Sequence, residues 1–196
     1  MRREKILLGE RQQIILSILE KDGSVSVDDL ARQFSVSGMT IRRDLKYLEA
    51  KNLTQLVCSE TAKFGHITYY FNGNSYEPLA GEEFLEIKSD TRPYNERPWM
   101  KSAEITDAVL EKMSDFDFVR INFAGGDMVG HFGELEPTVV AMEAIDLQLQ
   151  RLAKKVDELG GMMLITADHG NAEELFDAAT HQAKTSHTTN LVPCYF

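Results

Sequence analysis

Apolar residues in the first part of the chain repeat at helical spacing. Over residues 10–20, Ile14, Ile15, Ile18 and Leu19 share a face, and Asp22-Gly23 closes that predicted helix. Ser26 with Asp29 three residues on gives a second helix a capping-box-like start, with Leu30, Ala31 and Phe34 inward. After the turn Ser35-Val36-Ser37, a third helix is predicted from about residue 38 to residue 50. It turns Ile41, Leu45 and Leu48 inward and Thr40, Arg42, Arg43 and Lys46 outward. Two helices joined by a tight turn, the second basic near its start, form the helix-turn-helix pattern. The spacing equally fits a three-helix bundle with a solvated basic face.

The pattern changes at residue 55 without a flexible linker. Residues 55–58 read as a strand, 59–66 as a polar turn and 67–71 as a second strand. Residues 76–98 read as irregular, and 101–113 as an amphipathic helix with Ile105, Val109 and Leu110 inward. A strand at 118–123, a loop at Asp127 and a long helix follow. Pro137 suits that helix's first turn and Gly160 its stop. The apolar run 162–165 reads as a buried strand ending at Asp168. Strands alternating with helices predict an α/β unit, a mostly parallel sheet covered on both faces. The expected domains are therefore an all-α head, residues 1–54, and an α/β unit, residues 55–196.

Charge divides the chain at the same place. Residues 1–54 hold ten Lys/Arg against eight Asp/Glu, and residues 55–196 hold eleven against twenty-three. All five histidines lie in the acidic part, which would repel nucleic acid without a metal or a local basic face. Two cysteines, Cys58 and Cys194, make no disulfide framework and read as buried free thiols. No apolar run approaches transmembrane length and the N-terminus does not read as a signal peptide, so no membrane partner and a cytoplasmic location are expected.

The candidate chemistry lies in three polar knots beside apolar runs. Asp168-His169 ends the run at 162–165 and offers a metal one oxygen and one nitrogen. Taken alone, it also fits a strand-end turn with Asp168 as a helix N-cap. Asp127 and His131 stand four apart, which puts both on one face of a helical turn. His187 lies in a third knot, Ser186-His187-Thr188-Thr189-Asn190. Together they predict one metal site built from several strand ends. His66 reads as a core or strand-end residue and His181 as solvated. Trp99 and Phe116 read as core, and Glu82-Glu83 and Glu173-Glu174 as solvated faces.

Two family resemblances sharpen these expectations. Arg11, Ile15 and Leu19 at four-residue spacing, then the run Val36-Ser37-Gly38-Met39-Thr40-Ile41-Arg42-Arg43-Asp44-Leu45, resemble the helix-turn-helix head of the DeoR repressors over residues 5–53. The likeness implies that Thr40, Arg42 and Arg43 touch phosphates and base edges of duplex DNA, with Lys46 on the same face. Asp44 would fix an arginine. The family's basic wing is not visible here, so weak DNA binding is expected.

Residues 55–196 resemble the C-terminal part of the cofactor-independent phosphoglycerate mutases, in the alkaline phosphatase superfamily. The matching runs are the stretch from Ser59 to Asn74, Asp127-Met128-Val129-Gly130-His131, the stretch from Leu164 to Glu173, and the stretch from Ser186 to Pro193. The resemblance implies an incomplete alkaline-phosphatase-like sheet with flanking helices and a two-manganese site, with zinc as the alternative ion. In it Asp127, His131 and His187 hold one ion, Asp168 and His169 contribute to the other, and Lys63 contacts the phosphoryl group of 2- or 3-phosphoglycerate or a related ester. Ala62 departs from the acid often found before that lysine. The family's serine nucleophile and its substrate domain match nothing in this sequence, and Ser75 aligns with a loop. Inactivity without a complementing chain is expected. The alternative is a DeoR-type regulator whose acidic half serves dimerisation or metal sensing. Homo-oligomers through an exposed sheet edge are expected in either case.

Overall fold

The structure is a computed structural model that describes residues 11, 14, 15, 17, 18, 26–41, 53–177 and 180–196. The chain divides into two compact units, Met1–Thr54 with Leu79–Gly81, and Gln55–Pro78 with Glu82–Phe196.

In the first unit, helix α1 (Val27–Phe34) starts as its sequence predicts. Ser26 is extended, and its hydroxyl accepts from the Asp29 N–H at 3.0 Å while donating to the Asp29 carboxylate at 2.6 Å. Ser35 ends the helix in the left-handed region, and the Val36 N–H returns to the Ala31 carbonyl at 3.0 Å. The Ser37 hydroxyl then accepts from the Thr40 N–H at 3.2 Å, where residues 38–41 are helical. Ile15, Leu30 and Ile41 bury together, with Val27, Phe34 and Val36 against them. This is the turn-linked helix pair that the pattern called for. Arg42, Arg43 and Lys46, and the predicted continuation to residue 50, lie outside the described residues.

The second unit is built on strand β1 (Gln55–Glu60), buried along its whole length. Strands β2 (Glu82–Ile87) and β3 (Phe118–Asn122) flank it in parallel, in the order β2-β1-β3. A strand covered on both faces reads as a near-continuous apolar run, which is why Leu56, Val57 and Cys58 stand side by side. Leu56 and Cys58 pack against Ile105 and Val109 of helix α3 (Ser102–Lys112) and Leu152 of helix α5 (Leu135–Glu158). Burial of each such side chain is worth about 1.5–3 kcal/mol. Between β3 and α5 lies the short helix α4 (Gly125–Gly130). Pro137 falls in the first turn of α5, and Gly160 follows its end at φ +67.

Several local expectations are corrected. Residues 67–71 are not a strand. Helix α2 (Thr61–Gly65) runs on into a π-helical turn, His66–Tyr70, whose buried residues Ile67 and Thr68 are adjacent rather than alternating. Tertiary burial overrides the β preference of that aromatic and β-branched run. The stretch read as irregular contains β2. Its Glu82, expected in solvent, has a buried side chain that accepts from Arg120 at 2.7 Å and from the Asn72 amide at 2.7 Å. Glu83 pairs with Lys112.

In the run 162–165, only Ile165 joins a strand. Strand β4 (Ile165–Thr166) pairs antiparallel with β7 (Cys194–Tyr195), and Met162 and Leu164 are 64% and 51% exposed. Strands β5 (Phe176–Asp177) and β6 (Gln182–Ala183) form a second short antiparallel pair. Cys58 is buried, and its thiol is pushed up to about 12 by desolvation, but Cys194 is exposed. Trp99 is 46% exposed, whereas Phe116 packs on the core as expected. Among the described residues, no helix is long and apolar enough to cross a membrane.

Candidate metal centre

The elements that follow β1 and β3 converge on one carboxylate. Lys63 sits on α2, just past the carboxyl end of β1, and Asp127 on α4, just past that of β3. Ligand-binding groups gather at such strand ends in open α/β sheets. The Lys63 ammonium, only 4% exposed, lies 2.6 Å from Asp127 Oδ2. Asp127 Oδ1 faces the other way, 3.1 Å from His131 Nε2 and 2.9 Å from His187 Nε2. The two imidazole nitrogens stand 3.1 Å apart. The four-residue spacing of Asp127 and His131 thus does what it predicts, across one helical turn.

The orientation of the rings decides what this cluster can hold. His131 Nδ1 is 2.7 Å from the Thr185 carbonyl oxygen, which can only accept, so Nδ1 carries the proton. In the neutral ring Nε2 is then a lone pair aimed at the other two donors. The ligand atoms of Asp127, His131 and His187 all lie within 4.8 Å of one another. Two imidazole nitrogens and a carboxylate oxygen converging on one point fit a divalent cation of the manganese-to-zinc series.

The other predicted residues lie around this triad. The His169 ring stacks on His187 with centroids 3.6 Å apart, and its Nε2 is 3.9 Å from Asp127 Oδ1. Asp168 is the outermost, with Oδ2 3.5 Å from His169 Nε2. His66, expected in the core or at a strand end, is exposed on the π-helical turn. Desolvation and then the Lys63 charge lower its pKa, while Asp168 and Asp127 oppose them. Ser75 lies in a loop, its hydroxyl accepting from the Glu77 N–H at 3.2 Å.

Two residues at the centre were missed from the sequence. The Asn171 amide nitrogen donates to Asp127 Oδ1 at 3.0 Å and to the Asp127 carbonyl at 3.2 Å. Gly130 makes room for it, since a Cβ there would stand 2.7 Å from Asn171 Oδ1. Glu173, exposed as expected, also accepts from the Asn171 N–H at 2.6 Å. A lone Asn or Glu beside a ligand motif carries no periodicity or spacing that would mark it.

Burial alone would raise the Asp127 pKa, but the Lys63 and Asn171 hydrogen bonds, with the Lys63 and His131 charges, outweigh it and hold the carboxyl at about 2.

The metalloenzyme superfamily model matches residues 35–196, and a DeoR-like helix-turn-helix domain model matches residues 11–56. The chain belongs to the metalloenzyme superfamily. It is 42% identical over 152 residues to a 2,3-bisphosphoglycerate-independent phosphoglycerate mutase of Shewanella halifaxensis, a match covering 76% of this chain and 30% of that protein. The mutase of the same description from Trypanosoma brucei brucei is 46% identical over 138 residues, covering 68% of this chain and 25% of the relative. A solved structure of Leishmania mexicana phosphoglycerate mutase at low cobalt concentration superposes with a TM-score of 0.72 at 40% identity, covering 76% of this chain and 30% of that one. The chain therefore spans under a third of the length of these relatives, and it matches their C-terminal part.

The depressed Asp127 pKa sets a pH dependence. A carboxyl at about 2 in the folded chain, against an ordinary 3.8, contributes stability that is fully present above the ordinary value. That contribution, roughly 2 kcal/mol, is lost as pH falls from about 4 through about 2. Carbon-detected titration of the metal-free chain should place the Asp127 midpoint near 2. A midpoint at the ordinary value would show that Lys63 does not pair with it.

Proposed function

We propose that residues 55–196 form the metal-holding C-terminal portion of a 2,3-bisphosphoglycerate-independent phosphoglycerate mutase, joined to a DNA-binding head in residues 1–54. The observation that carries this reading is the Asp127–His131–His187 cluster with Lys63 on the far side of the same carboxylate. Asp127, His131 and His187 would hold one ion, manganese in the first place and zinc as the alternative. Asp168 and His169 would contribute to a second. The bound metal supplies positive charge that makes a hydroxyl nucleophile anionic near neutral pH and offsets the charge of the transferred phosphate.

The chain's own residues would divide the remaining work. Asp127 orients the Lys63 ammonium, whose part would be to contact the phosphoryl group of 2- or 3-phosphoglycerate or a related ester. The Nδ1–H of His131, held by the Thr185 carbonyl, would leave Nε2 as the ring nitrogen that faces the ion. The proposed reaction also needs a serine nucleophile and arginines for phosphoglycerate, which match nothing within residues 1–196. By itself the chain would bind metal without turnover, in the cytoplasm.

A second reading is favoured by the capped helix pair around Ser35–Ser37 and by the DeoR-like match over residues 11–56. In it the chain is a transcriptional regulator, with Thr40, Arg42, Arg43 and Lys46 on duplex DNA. The acidic half would serve metal sensing or dimerisation, with a sheet edge as the contact between copies.

The metal reading is tested by thermal denaturation with manganese and with chelator. One firmly held ion per chain should raise Tm, because it binds the folded site and little else. His187→Ala should abolish the rise, and His169→Ala should leave most of it. Two firmly held ions, or a Tm indifferent to chelator, would contradict the reading. The DNA reading is tested by salt-dependent retention on duplex DNA. Binding should be weak and fall steeply with salt, with the slope reduced by roughly 2 when Arg42 and Arg43 are both changed to Ala. Equal retention of the double variant at low salt would contradict it.

A further inference from the structure

The three polar knots come from chain segments distant in sequence, and something must hold them in register. Asp127 and His131 share a helical turn, but His169 and His187 lie on two separate loops. Those loops meet at an isolated bridge, where the Thr188 N–H donates to the Gly170 carbonyl at 2.9 Å. The Glu173 carboxylate spans the junction between Asn171 and Thr188. Glu173 Oε2 accepts from the Asn171 N–H at 2.6 Å, while Oε1 accepts from the Thr188 hydroxyl and, at 3.0 Å, from the Asn190 amide. Gly170 lies directly under this carboxylate. A Cβ at Gly170 would collide with the Thr188 hydroxyl and with Glu173 Oε1. Asn171, fixed at its backbone by Glu173, passes the constraint on through its side chain to Asp127 Oδ1 at 3.0 Å.

We propose that Glu173 is a positioning residue of the metal centre, which clamps the His169 and His187 loops together and, through Asn171, sets the Asp127 carboxylate. This rests on the reading of Asp127, His131 and His187 as metal ligands. Glu173 reaches none of the three itself. Asn171, Thr188 and Asn190 all donate to it, so a carboxylate suits the position. A glutamine there keeps a single acceptor oxygen and turns an N–H toward one of them. Groups that orient ligands in this way typically change metal affinity by roughly 10- to 100-fold when lost.

The test uses the full chain and cobalt(II) as the probe, with the variants Glu173→Gln, Thr188→Val and Glu174→Gln. The Glu174 carboxylate bonds Lys184 and Asn190 but neither Asn171 nor Thr188, so its removal controls for lost charge. Glu173→Gln should weaken cobalt binding roughly 10- to 100-fold and alter the visible absorption of the bound ion. Thr188→Val should act in the same direction, and Glu174→Gln should stay within about twofold of the parent. In the metal-free chain, Glu173→Gln should also speed amide exchange at Thr188 and Asn171, while the helix α5 amides remain protected. Unchanged exchange at those two amides, or cobalt affinity and absorption equal to the parent's, would overturn the proposal. Failure of the parent chain to take up cobalt would instead overturn the ligand reading beneath it, and the exchange data keep the two failures apart.

Discussion

A carboxylate removed from water must have both oxygens matched by positive charge or hydrogen-bond donors, or it takes up a proton. Asp127 meets this constraint asymmetrically. Oδ2 is satisfied by the buried Lys63 ammonium, and Oδ1 faces two imidazoles and the Asn171 amide. The first arrangement is a closed ion pair. The second sets His131 Nε2 against a carboxylate oxygen and a second imidazole, an arrangement that a divalent ion would fit. The side chains that follow β1, β3 and β4, and the loop before β7, all come within reach of this one residue. The second unit is organised to present it.

The sheet explains why they meet there. Parallel strands deliver the segments after β1 and β3 to the same edge, so Lys63 and Asp127 come together although sixty-odd positions separate them along the chain. The buried length of β1 fixes that edge from behind through Leu56 and Cys58 on α3 and α5. At its end Glu60, also buried, accepts from the Ser89 hydroxyl at 2.8 Å, and burial raises its pKa. The His169 and His187 loops have no such sheet beneath them. Among the described residues they are joined by a short antiparallel pair, an isolated bridge and side-chain bonds that include those of Glu173 and Glu174.

The legible parts of the sequence were those in which the chemistry repeats locally. The Asp127–His131 spacing is one helical turn, and Ser26–Asp29 is one cap; both can be read from neighbouring residues. Asp127, His131, His187 and Lys63 came from motif runs, and the structure brings all four together. The parts that were not legible depend on distant partners. Residues 67–71 look like a strand, but 67–70 are helical, with Ile67 and Thr68 buried in succession. Glu82 looks solvated and is buried because Arg120, thirty-eight positions on, faces it. Asn171 and Glu173 show their roles only once the loops close. Arg42, Arg43 and Lys46 remain readable only from sequence.

The central claim is that Asp127, His131 and His187 share one divalent ion. X-ray absorption at the cobalt edge of the chain loaded with one equivalent tests it directly. Two imidazole nitrogens and carboxylate oxygen are expected around the ion, with the imidazole signal reduced by half in His187→Ala. A shell of oxygens without imidazole, or a parent spectrum unchanged in His187→Ala, would contradict it.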